Sequence, residues 1–118
     1  MRYICLVYFD QDTLFSSEEE VEACIRDGQA FNADLTARGH MVASHALAST
    51  SEAMTVRVRD GKMSATDGPF AETKEVLGGF VLIDARDLNE AVRIASEIPL
   101  AKKGSIEVRP VLDAPAGP

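Results

Sequence analysis

Four charged side chains and a glycine pair fall within the fourteen residues from Asp67 to Phe80. Asp67, Glu72, Lys74 and Glu75 place a lysine among carboxylates, a combination of residue types suited to acid–base work. Asp67 can thus serve as a general base or a substrate clamp at the mouth of a cleft, with Glu72 beside it. The competing reading is structural. Asp67-Gly68-Pro69 is turn chemistry: the aspartate accepts local N–H groups, glycine takes a positive φ, and proline fixes the exit. Gly78-Gly79 then permits close backbone approach, to a ligand or to packed neighbours. His45, placed on a strand, is the imidazole available for proton transfer near neutral pH. Arg57, Arg59 and Arg109 sit on strand faces, suited to an anionic ligand or to ion pairing with carboxylates such as Glu107. The candidate catalytic residues are therefore Asp67, His45 and Glu72, and the candidate ligand contacts are Lys74, Gly78, Gly79 and Arg57.

Other chemistries find no pattern. His40 and His45 with scattered carboxylates match no metal-ligand spacing, so neither a metal nor another cofactor is expected. The glycines form neither a dinucleotide fingerprint nor a phosphate loop, and no serine lies in a nucleophile elbow. Twelve basic against nineteen acidic residues give a net charge of −7, which disfavours nucleic acid and anionic lipid as partners. The longest apolar run, Tyr3 to Phe9, is far short of the roughly 20 residues a membrane-spanning helix needs. With no secretory signal pattern at the N-terminus, a cytoplasmic location is expected. Cys5 and Cys24 lie inside apolar patterns, as buried reduced thiols would.

The chain of 118 residues reads as one domain over residues 1–112, followed by a loosely held tail at 113–118. Arg2 to Phe9 is apolar on both alternating faces and predicts a strand covered on both sides. Ser17 with Glu20 opens a helix running to about Arg38, closed by Gly39, with a stripe of Val21, Cys24, Ile25, Phe31 and Leu35. Gly28 falls on that face at a cost of about 1 kcal/mol relative to alanine, which implies close approach of a packed strand. Met41 to Leu47 predicts a second strand. Met54 to Arg59 predicts a third, with Met54, Val56 and Val58 on a buried face and Thr55, Arg57 and Arg59 on a polar one. Asp60-Gly61 is a type I′ hairpin turn leading into Lys62 to Thr66. Phe80 to Ile83 is again doubly apolar. Asp87 and Glu90 open the second helix, whose stripe is Leu88, Ala91, Val92, Ala95 and Ile98, and Pro99 ends it. Ser105 to Val111 is the last strand, held to an edge by Pro110.

That order is an α+β, ferredoxin-like βαββαβ pattern with a small extra hairpin strand. Two helices cover one sheet face, whereas the strands at Arg2–Phe9 and Phe80–Ile83 call for cover on both. A homodimer packed sheet against sheet would supply it. The run from Asp67 to Glu75, the Leu77-Gly78-Gly79-Phe80 that follows, and Gly104-Ser105-Ile106-Glu107-Val108-Arg109-Pro110-Val111 together resemble the DGPF-domain, YCII-related family. The resemblance extends from the Arg2-Tyr3 strand to Val111 and implies a ferredoxin-like subunit in a dimeric α/β barrel. A histidine on the first helix and an aspartate in a cleft make the family's relatives candidate enzymes, but the first helix here contains no histidine, and Gly28 or Gln29 falls at about that position. The first reading is a small cytoplasmic homodimeric protein of the YCII-related type that binds a small organic molecule in the cleft between sheet and helices, with weak acid–base catalysis by Asp67, Glu72 or His45. The alternative is a non-catalytic accessory module linked to an extracytoplasmic-function sigma factor, a context in which some relatives are encoded. An oxygenase or isomerase of the wider dimeric-barrel group would need a pocket open on the sheet face.

Overall fold

The computed structural model describes residues 1–113, so the tail expected at 113–118 lies, past Asp113, outside the described residues. Its strands are β1 (Arg2–Phe9), β2 (Met41–Ala46), β3 (Met54–Arg59), β4 (Lys62–Asp67), β5 (Val76–Asp84) and β6 (Ser105–Pro110), and its helices are α1 (Glu18–Ala37) and α2 (Leu88–Ser96). Four strands form an antiparallel sheet in the order β2-β5-β1-β6, while β3 and β4 form a separate two-stranded sheet. The four-stranded order, with each helix crossing between two strands that flank a third, is that of a ferredoxin-like fold. Its two inner strands, β1 and β5, are the two whose sequences are apolar on both faces.

Local chemistry sets the ends of the elements. Ser17 caps α1 by accepting from the Glu20 N–H at 3.2 Å, and the Glu20 carboxylate accepts from the Ser16 N–H at 2.6 Å. Asp87 and Glu90 repeat the device at α2, where Glu90 N–H donates to Asp87 and Arg86 N–H donates to Glu90, each at 2.9 Å. Both boxes reach one residue further back than the usual capping box. Gly39, at φ +81°, turns the chain out of α1. Asp60 (φ 52°) and Gly61 (φ 74°) form the hairpin turn with positive φ at both centres.

The core lies between one face of the sheet and the helices. Tyr3, Cys5 and Val7 of β1 and Val81 and Ile83 of β5 are buried against Phe31 and Leu35 of α1 and Ala91, Ile94 and Ala95 of α2. The packed side of α2 is thus Ala91, Ile94 and Ala95, with Ile98 buried just past its end, while Leu88 and Val92, expected in the stripe, are half exposed. Val21 and Ile25 of α1 are likewise open to solvent, so its second half, with Phe31 and Leu35, carries the packing. Ile4, Leu6 and Tyr8, and across from them Phe80 and Leu82, alternate onto the face no helix covers, and all five are only half buried. The molecule measures 47 × 43 × 19 Å, its thinnest dimension being that of one helix layer on one sheet.

The β3–β4 hairpin departs most from the sequence reading. Met54, Val56 and Val58 were expected on a buried face; they are 61, 61 and 60% exposed, and Met63 is 68% exposed. The alternation is real. Because no other helix or strand of the described residues packs substantially on the hairpin, its apolar side has nothing to be buried against.

Candidate functional site

Two concavities flank β5. The first is a cleft of about 220 Å³ between α1 and the β2–β5 edge of the sheet, bordered by Cys24, Gly28 and Asn32 of α1, Ser44 of β2 and Gly78-Gly79 of β5. Small residues create it. Cys24, Gly28 and Asn32 recur every fourth position and so line one side of the helix. A Cβ placed on Gly28 would meet nothing within 4 Å. The close approach expected at Gly28 is therefore replaced by open space, and the glycine keeps the cleft wide. Opposite it, Ser44 pairs with Val81 and faces the helices, as does Gly79.

The glycine pair is held by its own chain. β1 and β5 shift register between Val7 and Tyr8, and at that bulge a side chain on Gly78 would collide with the Phe9 ring. A Cβ on Gly79 would come within 3.0 Å of the His45 carbonyl oxygen. Both glycines also border the cleft, so close packing and cavity formation share them.

The cleft's polar groups are the Cys24 thiol, the Asn32 amide and the Ser44 hydroxyl. Burial, followed by the nearby Asp27 charge, raises the Cys24 pKa, with Lys103 opposing. A thiol held protonated is a weak donor rather than a nucleophile. Cys5, expected to be buried, is fully so, and burial pushes its pKa up to about 11. Both cysteines are free, but Cys24, also expected to be buried, is only half so, because it borders the open cleft.

The second concavity, about 650 Å³, lies between the Pro69–Leu77 loop and the connection from Leu47 to Ala53, with Tyr8 at its floor. Glu52 and Glu75 bring carboxylates to it, and Ser49, Thr50 and Thr73 bring hydroxyls. The walls are pinned from outside. Gln11 donates to Thr50 Oγ1 at 2.6 Å, Thr73 Oγ1 donates to the Glu75 carbonyl at 2.6 Å, and Ser105 Oγ donates to the Glu75 carboxylate at 3.1 Å. Glu52, Tyr8 and the Ser49-Thr50 pair carried no signal in the sequence, where Ala48 to Glu52 reads as a plain small-residue connection.

The sequence candidates divide between these places. His45, Gly78 and Gly79 border the cleft. His45 pairs with Phe80, so strand alternation puts its imidazole on the uncovered sheet face, where its ring centre lies 5.8 Å from that of Phe80. Asp67 ends β4 opposite Met54, in the other sheet. The following turn is tied down: Gly68, at φ +98°, donates its N–H to the Ala53 carbonyl at 2.8 Å, and its own carbonyl accepts from Thr55 Oγ1 at 2.8 Å. Asp67, Glu72, Lys74 and Arg57 border neither concavity and are exposed. Arg109 is paired with Glu107 on the same strand. Among the described residues no three His, Cys, Asp or Glu side chains are grouped to hold a metal ion. No helix there is long and apolar enough to cross a membrane.

A family model for the YCII-related domain matches residues 1–115. The chain belongs to the YCII-related family. It is also similar to an uncharacterised protein of Rhizobium meliloti (strain 1021), 40% identical over 114 residues, covering 94% of this chain and 92% of the relative. Within this YCII-related chain Gly28 occupies the helix face that borders the cleft, and no histidine stands anywhere on α1.

Proposed function

We propose that this YCII-related protein is a cytoplasmic homodimer that binds a small organic molecule in the cleft between α1 and the sheet. The observation that carries the reading is the vacancy at Gly28. A folded chain gains by closing apolar gaps and by replacing a mid-helix glycine, yet here Gly28, Ser44, Gly78 and Gly79 keep about 220 Å³ open. That space equals roughly seven water volumes, which suits a compact molecule with an apolar body. Asn32, Ser44 and Cys24 offer it a few hydrogen bonds. The second copy would pack on the half-buried residues Ile4, Leu6, Tyr8, Phe80 and Leu82 of the uncovered face. Proton transfer by His45, Asp67 or Glu72 is the catalytic part of this reading, and it needs that second copy, because none of the three side chains is directed into the cleft of its own chain.

The test is an amide-resolved NMR titration with a panel of small aromatic and aliphatic amides and acids. Binding should shift the signals of Cys24, Gly28 and Ser44 together, and Gly28→Leu, which fills the space, should abolish the shifts while leaving the protein folded. Shifts that persist undiminished in Gly28→Leu would sink the cleft as the site.

One observation favours a second reading, in which the protein is a non-catalytic module docking a protein such as an extracytoplasmic-function sigma factor. Phe70, in the loop after Asp67, is 81% exposed, as an anchor side chain awaiting a partner's pocket would be. Under that reading Phe70→Ser weakens sigma-factor binding at least tenfold in a direct titration, and Gly28→Leu leaves it unchanged.

A further inference from the structure

We propose that the β3–β4 hairpin is an arm that lies on a second copy of this chain, its apolar side forming part of the contact between the two. This rests on the homodimer of the preceding section and adds to it a surface that the sheet-to-sheet contact alone does not use. The hairpin is poorly supported where it stands. A lone two-stranded hairpin is marginal in water, and here eleven of the twelve strand residues are exposed. Its register puts Met54, Val56, Val58, Met63 and Ala65 on one side, with Asp67 at the end of that side opposite Met54. The four larger side chains, at 60 to 68% exposure, leave bare a strip on the order of 400 Å², a size that marks an interaction surface on a monomer.

Area and charge both point to a second copy. A stable interface takes about 800 Å² from each partner. The arm supplies about half of that, and the half-buried residues of the uncovered sheet face can supply the remainder. The opposite side of the hairpin carries Arg57, Arg59 and Lys62, none of which is ion-paired among the described residues. With Asp60 and Asp67 the hairpin nets one positive charge, so on a chain of −7 the rest is left at −8. Two such bodies repel each other. An arm of net positive charge reaching across brings that charge close to the partner's net negative body and offsets part of the repulsion, while its cationic side stays toward solvent.

Hydrogen exchange on the wild-type protein, measured with sedimentation over a range of concentrations, tests the arm without depending on any variant. The expected result is a dimer in which the amides of Met54–Arg59 and Lys62–Asp67 exchange at least tenfold more slowly than in diluted monomer. Val56→Lys with Val58→Lys, both at exposed positions, should then weaken association at least tenfold while the circular dichroism of the monomer is unchanged. A dimer whose hairpin amides exchange as fast as in the monomer, or whose association ignores the double substitution, overturns the arm and leaves the sheet-face dimer standing. A monomer at every concentration overturns both.

Discussion

Two glycines of this chain have opposite reasons to be glycine, and substitution separates them. At Gly28 a new methyl group would meet only open space, and alanine in a helix interior is about 1 kcal/mol better than glycine. Gly28→Ala is therefore expected to raise the melting temperature by about 4 °C, read by calorimetry. At Gly78 the same methyl group would run into the Phe9 ring. Gly78→Ala should cost about 1–3 kcal/mol, the usual penalty of overpacking, and Phe9→Leu in the same chain should recover part of it in denaturant titrations. If Gly28→Ala destabilises as much as Gly78→Ala does, the cleft is closed in solution. Cys24 adds a chemical check: with its pKa raised, it should react with a thiol reagent at pH 7 more slowly than a free peptide cysteine, and faster as pH rises. Buried Cys5 should not react until the protein unfolds.

At the scale of elements, the helix starts depend on pH. Glu20 and Glu90 each have a pKa lowered chiefly by the backbone N–H they accept, from Ser16 and Arg86 respectively. A carboxylate whose folded pKa is depressed contributes stability that is fully present above its unfolded pKa, about 4.3, and is lost as pH falls through the folded value. Stability should thus decline below about pH 4.3, and Glu20→Ala with Glu90→Ala should flatten that decline in urea titrations at pH 3 to 6. These starts were legible in the sequence because Ser17-x-x-Glu20 and Asp87-x-x-Glu90 act locally, as do the Asp60-Gly61 turn and Gly39. The double apolarity of β1 and β5 identified the central strands for the same reason: each residue's face follows from alternation alone. Whether a face is covered does not. Met54, Val56 and Val58 alternate as a half-buried strand would, but burial depends on what the rest of the chain brings to them, and among the described residues no other helix or strand packs substantially there. The cleft was hidden likewise, since Cys24, Gly28, Asn32 and Ser44 meet only after α1 crosses the sheet.

For the whole molecule, a slab 19 Å thick with one sheet face uncovered should not persist alone at working concentrations. Sedimentation equilibrium is expected to return twice the 12.7 kDa chain mass in the micromolar range. Replacing Leu6, on the uncovered face, with Lys should shift the population toward single chains without loss of helical circular dichroism. A wild-type protein that sediments as one chain would remove the homodimer from the functional reading and leave the cleft untouched.

One of the two inner strands of the sheet, β1, precedes both of its neighbours by a long stretch of chain. β1 pairs only with β5 and β6, so a ribosome must add roughly 100 further residues, at 5–20 per second, before its second edge is filled. For most of that time, on the order of 5–15 s, a doubly apolar segment waits with no partner strand, until β5 is made. The nascent chain of this protein is thus a natural client for a chaperone that shields extended apolar segments, and moving β1 to the C-terminal end by circular permutation should lower that dependence.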